Sequence, residues 1–228
     1  MSSSEENARE AADAPRFDPA EIRVLAVLAE KEALTPDAYP MSLNALTNGC
    51  NQLSSRDPVM TMTEDEVRAA LQRLMERKFA AEVSQAGARV AKYEHRMRIK
   101  WALEQDKLAV LTILMLRGAQ TAGEIRARSG RLHDFASVAS VESALQFLAD
   151  KYPPLVARLP RTPGTKEARY AALLSGEAVD EGAGETQDVR TAPARADRIA
   201  QLEAQVERLQ AEVVELREQL HRFRQQFE

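Results

Sequence analysis

The chain has 228 residues, of which 44% are hydrophobic and 29% are charged. This composition supports a folded core and excludes collagen-like and wholly disordered proteins. The 31 basic and 35 acidic residues give a net charge of −4, which excludes a uniformly basic nucleic-acid-binding protein but not a local basic patch.

The amino-terminal residues and the single cysteine bear on localisation. Residues 1–16 are polar, contain 2 basic and 4 acidic residues, and show no apolar period, so we predict a disordered tail. They lack the apolar stretch of a secretory signal, and the chain has no apolar run long enough for a membrane span. One cysteine, Cys50, permits no intramolecular disulfide. We therefore expect a cytoplasmic protein without membrane contact.

Capping residues and apolar spacing predict three helices and a β-hairpin in residues 17–100. The first helix places Ile22, Leu25 and Leu28 on one face, at the spacing of an amphipathic helix. Alternation of apolar and charged side chains predicts the hairpin between residues 80 and 97. The residues predicted to cap the three helices are, in chain order, Asp18, Ser42 and Thr63.

The same order of elements recurs in residues 101–176. A nearly continuous apolar helix covers residues 108–116 and is followed by a capping box that begins at Thr121. Ser140 is expected to cap the third helix of this half. A second hairpin is predicted within residues 155–174.

Three helices followed by a two-stranded hairpin form a winged helix, which is a variant of the helix-turn-helix. The predicted fold is therefore mainly α with small β-hairpins, in the α+β class. We expect a winged-helix domain 1 at residues 17–100, a domain 2 at residues 101–176 and a C-terminal coiled-coil helix. Two unrelated helical segments are the alternative, which the repeated order of caps and hairpins disfavours.

Several short strings in these two domains resemble the bacterial YceH family. The resemblance covers about residues 17–176 and implies a tandem winged-helix fold. It implies no established biochemical activity and no catalytic residues. The strings are Glu30-Lys31, Thr35-Pro36, Tyr39-Pro40, Leu43-Asn44, Cys50-Asn51-Gln52, Arg56 to Met60, Leu116 to Thr121 and Gly123-Glu124.

The carboxyl-terminal part has two segments that lie outside this resemblance. Residues 177–194 are acidic and contain no apolar period, so we predict a linker. In residues 195–228 the apolar positions recur in alternating steps of three and four, which predicts a parallel dimeric coiled coil. A single helix packed on the protein's own body is the alternative. The dimer seam would consist of Ile199, Leu202, Val206, Leu209, Val213, Leu216, Leu220, Phe223 and Phe227.

The sequence contains no familiar catalytic or metal-binding motif. It lacks the glycine-rich phosphate-binding and dinucleotide-binding motifs, and its three histidines, His95, His133 and His221, fall in separate predicted elements. Cys50 with His95 or His133 could be drawn as a nucleophile and its base. A small buried cysteine at a helix end is the preferred interpretation. We predict no enzyme, no metal and no cofactor.

Winged-helix proteins often place the third helix in the major groove and the hairpin, or wing, on phosphates. The predicted outward faces of the third helices are poor in cations. The first has Arg73 as its cation, together with the acidic Asp65, and the second has the aromatic Phe147 and no cation. Phe147 and Arg73 are candidate contacts for a protein partner or for the other domain. The candidate phosphate contacts lie in the hairpins: Arg89, Lys92, Arg96, Arg98, Arg158, Arg161, Lys166 and Arg169.

Two functions remain open at this point. The fold favours a DNA-associated regulatory protein that contacts phosphates through its basic wings. The outward residues favour a protein–protein interaction scaffold that does not touch DNA. A short cluster of Arg126, Arg128 and Arg131 fits either function.

Overall fold

The computed structural model of the chain describes residues 16–83, 90–160 and 167–175. Short helices and antiparallel strands alternate there, which confirms the α+β class. The first half contains α1 (Pro19–Leu34), a 3-10 turn (Pro36–Ala38), β1 (Met41–Ser42), α2 (Leu43–Cys50), α3 (Glu64–Glu76), β2 (Ala80–Val83), β3 (Lys92–His95) and α4 (Met97–Trp101). The second half contains α5 (Gln105–Arg117), β4 (Gln120–Thr121), α6 (Ala122–Ser129), α7 (Val138–Ala149), β5 (Val156–Arg158) and β6 (Arg169–Ala172).

The helices begin where the sequence supplies side chains that satisfy free backbone N–H groups. Asp18 accepts a hydrogen bond from the Glu21 N–H at 2.7 Å, and Glu21 accepts one from the Asp18 N–H at 2.8 Å. Such a reciprocal capping box satisfies two N–H groups that the first helical turn leaves unpaired. Helices α3 and α6 begin with the same arrangement, formed by Thr63 with Glu66 and by Thr121 with Glu124.

The predicted start of α7 was wrong. Ser137 caps this helix, and Ser140, which was expected to be the cap, occupies the third helical position. The Ser137 hydroxyl accepts from the Ser140 N–H at 3.2 Å, and the Ser140 hydroxyl accepts from the Ser137 N–H at 3.3 Å. The earlier start prevails because it lets both hydroxyls satisfy backbone donors.

The first hairpin also ends earlier than its alternating pattern predicts. Strand β3 stops at His95, and Met97 begins the short helix α4 with its side chain fully buried. Period-two alternation places Met97 on the buried face of a strand, but one helical turn buries the same side chain equally well. The apolar spacing was therefore compatible with both a strand and a helix at Met97, and it did not decide between them.

Among the described residues, each half forms a three-stranded sheet where the sequence predicts two strands. The sheet orders are β1-β3-β2 and β4-β6-β5, and all pairings are antiparallel. The additional strands precede the second helix of each half, with Met41 opposite Tyr93 and Gln120 opposite Tyr170. Two-residue strands are too short to show any alternation, so the sequence pattern could not reveal them.

Helix α1 is buried on nearly all sides, which its predicted single apolar stripe does not anticipate. Val24, Ala26 and Val27 are fully buried together with Leu25 and Leu28. The reason is that α1 packs against α3 of its own half and against α5 of the second half. Helix α5 is likewise buried over residues 108–116.

The two halves therefore join through their first helices, and all described residues lie within one compact unit of the chain. Two main-chain hydrogen bonds also cross between the halves. The Asp57 N–H donates to the Leu116 carbonyl, and the Phe17 N–H donates to the Leu174 carbonyl, both at 2.8 Å. No helix among the described residues is both long and apolar enough to cross a membrane.

Candidate functional site

The third helix of the first half, α3, presents an acidic face at its amino-terminal end. Glu64, Asp65 and Glu66 are all exposed there. The only cation in the first two turns is Arg68, whose guanidinium contacts the carboxylates of Glu64, at 2.8 Å, and Asp65. This end of α3 therefore offers no cation that is free of a carboxylate.

Arg73, a predicted partner contact on α3, is exposed but belongs to an ion-pair cluster at the start of α1. Its guanidinium contacts the carboxylates of Asp18 and, at 3.5 Å, Glu21. Arg77 reinforces the cluster, since it lies 3.4 Å from Glu21 and its guanidinium stacks 3.9 Å from the centre of the Phe17 ring. The cluster ties α3 to α1 and neutralises both arginines.

The third helix of the second half, α7, exposes a large aromatic side chain, Phe147. Phe147 is 40% exposed, and the Nζ atoms of Lys107 and Lys151 lie 5.3 and 4.7 Å from the centre of its ring. Hydrogen bonds to Glu104, at 2.6 Å, and to Asp106 raise the pKa of Lys107. Phe147 thus contacts lysines of its own half, while the two halves meet through α1 and α5.

Five of the eight hairpin cations fall on described residues, and three of these five have intramolecular partners. Arg96 lies 2.9 Å from Glu94, Arg98 lies 3.1 Å from Glu32, and Arg169 donates to the Ala119 carbonyl. No hydrogen bond or ion pair within the described ranges engages the other two cations, Lys92 and Arg158. The three remaining predicted cations lie outside the described residues: Arg89, Arg161 and Lys166.

Arg98, predicted to lie in the first hairpin, lies in α4 instead, where it joins α4 to Glu32 of α1 and to Gln105 of α5. Glu32 accepts from Arg98 and lies 3.2 Å from Nε2 of His95, whose side chain is fully buried. The Met97 N–H donates to Nδ1 of His95 at 3.2 Å, so Nε2 carries the proton that points at Glu32. The hydrogen bond from His95 and the charge of Arg98 lower the pKa of Glu32.

A second network, buried beneath the loop after α2, was not anticipated from the sequence. The Arg56 guanidinium donates to both carboxylate oxygens of Glu30, at 3.0 and 2.6 Å, and to the Gly49 carbonyl at 3.1 Å. Burial favours a higher pKa for Glu30, but the hydrogen bonds and charge of Arg56 outweigh it and lower that pKa. Arg23, also buried, donates to the carbonyls of Cys50 and Pro58.

Cys50 has the surroundings of a structural residue. It is fully buried at the end of α2, and burial raises the pKa of its thiol to about 12. The reactive thiolate is therefore scarce near neutral pH. The described part of the chain also contains no group of three or more His, Cys, Asp or Glu side chains placed to bind a metal.

Loss of the buried Arg56 charge is expected to destabilise the fold strongly. Arg56→Met leaves the buried Glu30 carboxylate with Lys31 as its remaining cationic partner, which should cost about 3 kcal/mol in the free energy of unfolding. The matched variant Arg68→Met breaks an exposed pair and should cost less than about 1 kcal/mol. Urea denaturation of both variants measures the difference, and equal losses would contradict this role for Arg56.

The contribution of Glu32 to stability is expected to depend on pH. Its pKa is lowered in the folded chain, so its contribution is complete above the unfolded-state pKa and is lost as pH falls through the folded-state pKa. Glu32→Gln should therefore cost about 1 kcal/mol near neutral pH and progressively less in acid. Thermal melts of both proteins across this pH range provide the measurement, and a constant difference would argue against the ion pairs.

Comparison with known proteins identifies relatives but no activity. A family model described as "Protein of unknown function, DUF480" matches residues 17–165. A UPF0502 protein of Herminiimonas arsenicoxydans is 69% identical, and the alignment covers 99% of this chain and 96% of that protein. UPF0502 proteins of Azoarcus sp. and Chromobacterium violaceum are 52% and 51% identical over more than nine tenths of each chain.

These relatives extend the likeness beyond the matched family model. The alignment with the Herminiimonas protein covers nearly the whole chain, so most of the carboxyl-terminal segment is shared with it. None of the three names states a substrate, a partner or a reaction. The YceH resemblance is confirmed, because the chain belongs to the UPF0502 family, which is the YceH family.

Proposed function

We propose that the protein is a non-enzymatic tandem winged-helix protein whose third helices bind another protein. The order of elements in each half supports this fold, because a helix-turn-helix is followed by two strands that can form a wing. The domains would be residues 17–100 and 101–176. The burial of Cys50 and the described arrangement of carboxylates and histidines favour a binding role over catalysis.

The observation that carries the protein-binding role is the charge of the third helices. A winged helix that reads DNA usually brings the start of its third helix close to base edges and phosphates. Helix α3 places three exposed acids at that point, and its cations Arg68 and Arg73 are paired with carboxylates. Phosphates would meet repulsion there, because affinity for DNA comes largely from unpaired lysine and arginine side chains.

The exposed face of α7 is suited to a protein partner. Phe147 offers apolar area, and Lys107 and Lys151 lie over the ring. Exposed aromatic side chains are typical of the positions that contribute most to binding energy in protein interfaces. Lys107 is already paired with Glu104 and Asp106, so a partner segment would place an apolar side chain on Phe147 and an acidic one near Lys151.

The test is capture of partners by the full chain and by two charge variants. Phe147→Asp should abolish capture of the specific partner from native lysate, because it places a carboxylate in the apolar contact. Leu53→Asp changes a residue that is 81% exposed in a loop of the first half, and this variant should retain the partner. Capture of the bait alone, or equal capture by all three proteins, would contradict the proposal.

A second candidate is DNA association through the wings, which is favoured by the exposed Arg158 and the half-buried Lys92, two cations with no side-chain partner among the described residues. Low-salt fluorescence anisotropy with duplex DNA separates the two functions. The protein-binding role predicts no binding up to about 10 μM, since the exposed cations of α3 are paired with carboxylates. Binding that Lys92→Gln with Arg158→Gln removes would instead support the DNA role.

We further propose that residues 195–228 form a parallel dimer, on the strength of their heptad spacing. Their seam, from Ile199 to Phe227, lies outside the described residues. Such a dimer would double the number of partner-binding faces and so raise the avidity for a multivalent partner.

Disruption of the heptad seam should convert the dimer to a monomer. Leu209→Asp places a charge at a seam position, and light scattering should then report the mass of one chain, 25.3 kDa. Ala211→Asp lies two residues away on the opposite side of the heptad, and that variant should remain dimeric. A wild-type monomer, or a dimer that survives Leu209→Asp, would refute this arrangement.

A further inference from the structure

A cavity of about 500 Å³ lies between the two halves, beside the buried Glu30–Arg56 pair. The first half contributes the end of α1 and the loop around Gln52. The second half contributes the last turn of α5 and the segment from Ala127 to Leu132. Because both halves form its wall, the cavity exists only in the assembled two-domain unit.

The walls of the cavity are strongly cationic. Four of its lining residues are cations: Lys31, Arg117, Arg128 and Arg131. Its one lining carboxylate is Glu30, which already receives two hydrogen bonds from the buried Arg56. The cavity therefore has an excess of positive charge that the lining residues do not neutralise.

Arg117 is the residue that this excess affects most. Within the described residues its guanidinium makes no hydrogen bond and no ion pair, although the side chain is half-buried. Burial lowers the pKa of Arg117, the nearby charges of Arg128 and Arg56 lower it further, and the charge of Glu30 offsets only part of this effect. A partly buried guanidinium with cationic neighbours is costly unless an anion occupies the space in front of it.

The other three lining cations differ in whether neighbouring side chains already bind them. Arg131 is exposed and has no hydrogen bond among the described residues. Lys31 lies 3.2 Å from both Gln52 Oε1 and Glu30, so its ammonium is held at the cavity wall. Arg128 donates to Gln120 and lies 3.8 Å from the Glu124 carboxylate, so its charge is partly neutralised. Apolar side chains complete the lining: Leu34, Ile113, Leu116 and Leu132.

Stabilisation of helix ends explains only part of this cluster. Helices α1, α5 and α6 each carry a cation in the last turn, which interacts favourably with the helix dipole. Arg131 follows the end of α6 and gains little in this way. Helix dipoles also give no reason for three such ends to place their cations around one open cavity.

We propose that this interdomain cavity binds a small phosphorylated molecule of about the size of a nucleotide. Phosphate oxygens would accept hydrogen bonds from Arg117 and Arg131, because guanidinium groups match phosphate in charge and geometry. Arg128 and Lys31 would offset the remaining charge, and the apolar part of the ligand would pack on Leu34. The volume is in the range typical of small-molecule sites, and a DNA duplex is too wide to enter it.

A bound ligand would contact α1 of one half and α5 of the other, so it would stabilise the contact between the two halves. A ligand that binds only the assembled unit raises its stability by mass action. This site is separate from the α7 face that carries the proposed protein-binding role, so either proposal can fail without the other.

The test is calorimetry and thermal melting of the full-length protein with ATP and with tripolyphosphate. Both compounds should bind saturably and raise the melting temperature. Arg117→Gln and Arg131→Gln should each weaken binding at least tenfold, or about 1.4 kcal/mol. Arg16→Gln removes an exposed arginine that does not line the cavity, and it should change the affinity less than about twofold.

Three outcomes would overturn the proposal. The first is no saturable binding of either compound up to about 10 mM, a concentration well above the Kd of a weak specific site. The second is equal weakening by Arg16→Gln and by the cavity variants, which would indicate non-specific attraction. The third is a lower melting temperature for Arg117→Gln with an unchanged response to both compounds. If Arg117→Gln fails to fold, Arg131→Gln decides, because its side chain has no internal partner to lose.

Discussion

The packing of α1 against α5 is the contact on which the rest of the structure depends. Because α1 also packs on α3, its polar residues Arg23 and Glu30 are forced into the interior together with its apolar ones. A buried charge is tolerated only with a partner, and the loop after α2 supplies Arg56 for Glu30. The cavity between the two halves lies directly beside this pair, so the contact of α1 with α5 creates both the junction and its charged wall.

Ion pairing within the fold decides which charges remain available for partners. Arg68, Arg73, Arg96 and Arg98 all have carboxylate neighbours, so a count of cations in the sequence overstates the basic surface. Among the described residues, Arg117 and Arg131 in the cavity wall and Arg158 in the second hairpin have no ion pair. The cations that pair within the fold are therefore less available to phosphates or to other ligands.

Much of the local structure followed from the sequence. The capping boxes at Asp18, Thr63 and Thr121 mark real helix starts, and helical spacing gave the correct outward faces of α3 and α7, including the exposure of Phe147. The candidate site was less predictable, because the pairing of Glu30 with Arg56 joins residues 26 positions apart. No periodicity or motif connects residues at such a separation.

The sequence by itself determined the family, the repeated order of helices and hairpins, and the outward faces of the third helices, because these depend on spacing and caps within a few residues. Only the tertiary structure decided that α1 is buried on nearly all sides, that short strands β1 and β4 join the sheets, and that four cations surround one cavity. Those features arise from contacts between distant segments. Burial and charge neutralisation are properties of the assembled neighbours of a side chain, and the linear order of residues does not specify those neighbours.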